Sequence, residues 1–206
     1  MTIFACVGTY DDTLHSGMSI RGNGKTLTAT YYGYQEYLEG KEVYSNYHTS
    51  FSKLYTMNEL IDMFKNDKLS NVVILMDEAQ VYLSNQGVKK KVVNNLIGLF
   101  IAQTRKRNVD IYLTTQRFNN LHNQLRLHTD IILLPVKTHA DGSICRKNLC
   151  KLPHYIHVFM STEEDELVCL KADEVGQLYN SDEIVLDTFY LEEEEKPSKK
   201  KKESHV

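Results

Sequence analysis

The chain has 206 residues, 42% of them apolar and 25% charged, with a formal net charge of −3. That is the composition of an ordinary soluble globular protein with room for one substantial core, and it excludes a global basic field for nucleic acid, leaving only local patches. Four cysteines do not make a disulfide framework in a chain this size, which points to a reducing compartment.

Taken in chain order, short apolar runs alternate with helical patterns, the signature of a parallel sheet with crossover helices. Ile3 to Val7 is the first run. It is too short, and lacks the basic flank, for a secretory signal. A helical pattern covers Lys25 to Glu39, and Val43 to Tyr47 is a weaker second strand. Thr56 with Glu59 forms a capping-box pattern that starts a helix over Met57 to Lys65. Val72 to Met76 is a continuous apolar run of the kind that is buried on both faces. Further helices are expected over Lys89 to Arg105 and around Leu121 to Leu127, with strands at Val109 to Leu113 and Ile131 to Val136. Tyr155 to Met160 and Glu166 to Leu170 alternate across a charged turn and read as a closing hairpin. The expected organisation is one domain over residues 1–190 and a disordered charged tail over 191–206, where runs of glutamate and lysine cannot bury a core. No stretch approaches the length of a membrane span.

Gly22-Asn23-Gly24-Lys25-Thr26 carries the most chemistry. Glycines let backbone N–H groups approach a phosphate, the lysine neutralises terminal phosphates, the threonine hydroxyl can ligate Mg²⁺, and the helix that follows adds its positive end. The position five residues before Gly24, where this pattern wants glycine, is Ser19. Either Ser19 replaces that glycine, or Ile3 to Val7 is the preceding strand, Gly8 the first loop glycine, and Thr9 to Arg21 an insertion. The second reading is preferred because it uses the good strand.

The run Val72 to Met76 ends in Asp77-Glu78. Acids at the carboxyl end of a buried parallel strand stand where ligands bind in α/β folds. Asp77 is expected to hold the Mg²⁺ shell and Glu78 to act as general base toward the attacking water. In the next strand region, Gln116 follows Thr114-Thr115 and is expected to sense the γ-phosphate.

The order of these motifs, with Gln103 to Gln116 and the later Leu125-Arg126, resembles the FtsK–HerA superfamily. Two branches are similar: the zonula occludens toxin-like assembly ATPases of filamentous phages, and the small genome-packaging ATPases of membrane-containing icosahedral and archaeal viruses. Leu178 to Glu183 resembles a Tyr-Asp-Thr-x-Glu element near the end of such domains. The resemblance implies a RecA-like, additional-strand, mainly parallel sheet flanked by helices, with a C-terminal β-hairpin. It implies ATP and Mg²⁺ as ligands, and a homo-oligomeric ring, usually a hexamer, that translocates double-stranded DNA. A neighbouring subunit's arginine would complete each site, with Arg126 the first candidate and Arg107 and Arg105 next. The phage assembly proteins continue into a membrane span, whereas this chain runs into a charged tail, so a packaging motor is the leading expectation. It would work in the host cytoplasm or with the virion, with capsid or membrane-associated virion proteins as partners. The alternatives are an assembly or secretion ATPase and a nucleotide-binding switch that barely hydrolyses.

Three weaker features complete the reading. Lys89-Lys90-Lys91 and Arg105-Lys106-Arg107 offer local positive charge to DNA or form a solvated face. Cys145, Cys150, His154 and His157 are ligand types that can close a small tetrahedral zinc site, although the spacing matches no established motif. Leu27, Tyr31, Tyr34 and Leu38 share one helical face and are expected to pack on the core.

Overall fold

A computed structural model describes residues 2–9, 22–66, 68–83, 97–98, 101, 106–145, 150–160 and 166–180. The strands are β1 (Ile3–Thr9), β2 (Glu42–Ser45), β3 (Lys53–Leu54), β4 (Val72–Met76), β5 (Val109–Arg117), β6 (Ile131–Thr138), β7 (Tyr155–Met160) and β8 (Glu166–Lys171). The helices are α1 (Lys25–Leu38), α2 (Met57–Lys65), α3 (Asn123–Leu127) and α4 (Ala172–Gly176). The strands form one sheet in the order β3-β2-β4-β5-β1-β6-β7-β8. Pairing from β3 through β6 is parallel, and β6-β7-β8 are antiparallel. β5 lies between β1 and β4, so the sheet has the additional-strand order, and β7–β8 is the expected hairpin.

Alternation along the strands splits the core into two faces. Ile3, Ala5 and Val7 of β1, Val72, Ile74 and Met76 of β4, and Ile111 and Leu113 of β5 pack under α2 (Leu60, Phe64) and α3 (Leu125). Cys6, Val73, Leu75 and Tyr112 face the other way, against Leu27 and Ala29 of α1 and Val175 of α4. The helix α2 carries the full capping box: Thr56 Oγ1 accepts from Glu59 N, and Thr56 N donates to Glu59 Oε2 at 2.7 Å. Each bond satisfies a backbone donor that helix geometry or helix entry would otherwise leave open.

Leu27 of α1 is buried and Tyr31 packs on the core as expected, but the far end of that face differs. Leu38 is 61% exposed, and the buried residues run through Leu27, Thr28, Ala29, Thr30 and Gly33. A Cβ on Gly33 would stand 2.8 Å from Leu75 Cδ1. The helix therefore seats on β4 through its smallest residues, and that close approach turns the tyrosine side partly outward. Tyr31 and Tyr32 pack at the edge of this face, with Tyr32 stacked on Tyr112 at 5.9 Å, while Tyr34 meets Phe51.

The short strand β3 and helix α4 were not legible as elements, and β5 runs four residues beyond its expected end at Leu113. The helix expected over 89–105 falls mostly outside the described residues, where Ile97 is helical and fully buried. The charged tail also lies outside them. Among the described residues no helix is long and apolar enough to cross a membrane.

Candidate functional site

The parallel strands β1, β4 and β5 end together, and their carboxyl edge gathers most of the residues singled out in the sequence. β1 takes Gly8 and Thr9 into the strand, two residues past the expected end of the run at Val7. Asn23 Nδ2 donates to the carbonyl of Gly8 at 3.4 Å, which brings the returning chain back to the end of β1. Residues 10–21, including Ser19, lie outside the described part.

Gly22 and Gly24 have φ of 69° and 97°. This left-handed conformation is open to glycine at little cost. Gly24 is constrained a second time, because an added Cβ would lie 2.8 Å from Ile156 Cδ1 of β7. Helix α1 begins at the next residue. Lys25 is buried, and its Nζ donates to Asn23 Oδ1 at 3.2 Å. Burial pushes the Lys25 ammonium pKa down, against the opposing pull of Glu78 and Asp77.

Thr26 Oγ1 donates to Asp77 Oδ1 at 2.9 Å, and Thr114 Oγ1 donates to the same oxygen at 2.5 Å. Asn46, just past β2, braces the Asp77 backbone from the far side: Asp77 N donates to Asn46 Oδ1 at 2.7 Å, and Asn46 Nδ2 donates to Asp77 O at 3.0 Å. Burial raises the Asp77 pKa, and the Thr114 and Thr26 bonds oppose that rise.

Glu78 adopts φ 49°, a left-handed conformation uncommon outside glycine. Its N–H donates to Thr114 Oγ1 at 3.0 Å, and its carboxylate accepts a hydrogen bond from Gln80 Nε2. Thr114 thus holds both acids, taking the Glu78 N–H while giving its proton to Asp77. Neither Thr114 nor Asn46 was anticipated. Thr114 shows only a polar residue in an apolar strand, and Asn46 only an amide at a strand tip.

In the β1–β5 register Val7 pairs with Thr115 and Thr9 with Arg117, which sets Gln116 level with Gly8. Gln116 shares the parity of Thr114, and so the face of β5 toward α1. Arg126 is held within its own chain: Nη1 donates to Asn119 Oδ1 at 2.8 Å and Nη2 to Asn123 Oδ1 at 3.3 Å. Arg107 lies before the start of β5, at the opposite edge of the sheet, where its carbonyl accepts from Asn71 N. Arg105 and Lys89 to Lys91 fall outside the described residues. Tyr179, in the late Tyr-Asn element, bridges to Thr49 and meets Tyr47 edge-on at 6.1 Å. That contact brings the element back against the loop after β2.

The model of the family described as zonular occludens toxin (Zot) matches residues 34–140, slightly more than half of the chain. The N-terminal domain of zonular occludens toxin from Neisseria meningitidis is similar in structure. Its TM-score is 0.54 at 16% identity, covering 87% of this chain and 98% of that one. The genome packaging NTPase B204 from Sulfolobus turreted icosahedral virus 2, in complex with ATP-gammaS, has a TM-score of 0.50 at 11% identity, covering 82% of this chain and 97% of that one. A sequence search of curated proteins finds no match. The likenesses are of fold, a mostly parallel sheet flanked by helices as in P-loop NTPases. The family match carries the assignment: the chain belongs to the zonular occludens toxin (Zot) family.

Proposed function

We propose that the chain binds and hydrolyses ATP at the carboxyl edge of β1, β4 and β5, and that hydrolysis drives the movement of double-stranded viral DNA during packaging. The observation that carries the nucleotide-site part of this reading is the contact between Thr26 of the glycine loop and Asp77 of the acidic strand. A turn of glycines or a strand-ending acid pair alone has no reason to meet the other.

The backbone N–H groups around Gly22 to Gly24 cradle the phosphates, and Lys25 balances their charge. A hydroxyl and a carboxylate oxygen 2.9 Å apart are hard oxygen donors that fit Mg²⁺, with Thr26 and Asp77 as its protein-side partners. When bound, Mg²⁺ neutralises charge on the phosphate oxygens. Glu78 accepts the proton of the water that attacks the γ-phosphorus, while the bond to the bridging oxygen breaks and ADP and phosphate are released. Gln80 Nε2 donates to Glu78 Oε2, and a carboxylate has further acceptor sites open to water. Gln116 senses the γ-phosphate, and Arg126 of an adjacent subunit stabilises charge on the transferring phosphoryl group in a hexameric ring. The motor works in the host cytoplasm or on the virion, with capsid or membrane-associated virion proteins as partners.

A second reading, a virion assembly or secretion ATPase, is favoured by the Zot family match over 34–140. Steady-state ATP hydrolysis with and without double-stranded DNA, beside Lys25→Ala and Glu78→Ala, tests both. DNA-stimulated turnover lost in both variants supports the packaging motor. Variant-sensitive turnover indifferent to DNA supports the assembly reading. Nucleotide binding with negligible turnover in every condition overturns both in favour of a switch.

A further inference from the structure

The connection between β6 and β7 contains a cluster that the nucleotide site does not use. His139, Cys145, Cys150 and His154 bring one ligand atom each to within 4.8 Å of one another. His154 Nε2 stands 3.2 Å from Cys145 Sγ, and the two histidine rings are 5.0 Å apart. Tetrahedral zinc with bonds of about 2.0–2.3 Å needs ligand-to-ligand edges of roughly 3.4–3.8 Å. The quartet therefore lies within about an ångström of that arrangement.

The backbone holds three of the four residues, His139, Cys145 and His154, there for local reasons. Past Thr138 the chain turns through Gly142, whose φ of 81° allows the reversal. His139 N donates to Ser143 O, Gly142 N donates to His139 O, and Asp141 Oδ1 accepts from Ser143 N at 2.9 Å. Cys145 N then donates to Lys137 O, and Ile144 bridges to Thr138, so His139 and Cys145 flank one tight turn. His154 immediately precedes β7, and its carbonyl accepts from Ala172 N. His139 Nδ1 is buried and has no hydrogen-bond partner. A buried, unpaired ring nitrogen costs free energy that a metal bond would recover.

We propose that His139, Cys145, Cys150 and His154 bind one zinc ion, or a divalent ion of like softness, in a closed four-coordinate structural site. Two sulfurs and two imidazole nitrogens are the donor set that selects zinc over magnesium or calcium. The sequence expectation of His157 as fourth ligand is corrected: His157 Nε2 pairs with Thr138 Oγ1 at 3.0 Å, and the place falls to His139. The ion would clamp the turn after β6 to the start of β7. Ile156, two residues beyond His154, packs on Gly24, so the clamp would also back the glycine loop.

The test is the metal content of the purified 206-residue chain after dialysis against zinc, followed by cobalt(II) replacement. The expected result is one ion per chain and a cobalt spectrum with thiolate charge-transfer bands. Cys150→Ser should lose both, while Cys169→Ser and His157→Gln keep them. Thiol labelling of the native wild-type chain needs no variant to fold: zinc should protect Cys150, and a chelator should expose it. A ratio far below one, a cobalt spectrum without thiolate bands, labelling of Cys150 indifferent to zinc, or a Cys145–Cys150 disulfide in protein prepared under reducing conditions would each overturn the site.

Discussion

Thr26 Oγ1 and Asp77 Oδ1 are 2.9 Å apart although 51 positions separate them in the chain. The hydroxyl donates and the carboxylate accepts, so in this state the two groups satisfy each other. A cation between them would replace one bond with two. Thr26→Ala should therefore weaken magnesium-dependent ATP binding at least about tenfold, roughly the value of one charge-assisted bond. Nucleotide binding measured in EDTA should change little, and Thr26→Ser should restore the magnesium effect. Equal losses with and without magnesium would show that Thr26 acts only through packing.

Thr114 is the pivot between the two acids. Thr114→Val keeps the shape but leaves the Glu78 N–H without its acceptor and removes a donor from Asp77. We expect a loss of about 1–3 kcal/mol in denaturant unfolding, because the group left behind is desolvated. Turnover should fall more than nucleotide affinity, since Glu78 is positioned through its backbone. Thr114→Ser should recover both. Unchanged kcat in Thr114→Val would place the orientation of Glu78 elsewhere.

The two acids, the glycine loop and the strand before it were legible because each is a local pattern with its own chemistry. Thr114 and Asn46 were not, because their value depends on register: Met76 pairs with Leu113 and Ser45 with Leu75, and only that alignment sets all three strand ends side by side. His139 was missed for the same reason, as the turn at Gly142 brings it beside Cys145. The far end of the α1 face, at Leu38, was misread through hydropathy. The tyrosines are the larger apolar groups, but the closeness of α1 to Leu75 is governed by Gly33, where a missing side chain is the signal.

Gly24 and Ile156 should behave as a coupled pair. Gly24→Ala introduces a methyl 2.8 Å from Ile156 Cδ1 at a backbone φ of 97°. Overpacking and the left-handed conformation together should cost about 2–4 kcal/mol. Ile156→Ala removes the clashing side chain but not the backbone penalty. The double variant should therefore lie closer to Ile156→Ala than additivity predicts, by roughly 1–3 kcal/mol. Strict additivity in urea unfolding would mean that the loop shifts away from β7 instead of pressing on it.

At the opposite edge of the sheet, Lys41 Nζ donates to Asp110 Oδ2 at 2.7 Å and pairs with Glu36 at 2.5 Å. Asp110 Oδ1 accepts from Thr2 N at 2.6 Å. The three contacts tie the end of α1 to β5 and to the start of β1. Burial alone would raise the Asp110 pKa, but the bond and charge of Lys41 outweigh it and hold the carboxyl below its usual range. A depressed carboxyl contributes stability that is fully present above its unfolded value, near 3.9, and is lost as pH falls through the lower folded value. Lys41→Met should cost about 1–3 kcal/mol at neutral pH by removing the lysine cation from buried Asp110. The difference between variant and wild type should shrink as pH drops below about 4. Unfolding curves at pH 7 and pH 3 check this, and a deficit of the same size at both would show that Lys41 contributes through its methylene packing and not through its charge.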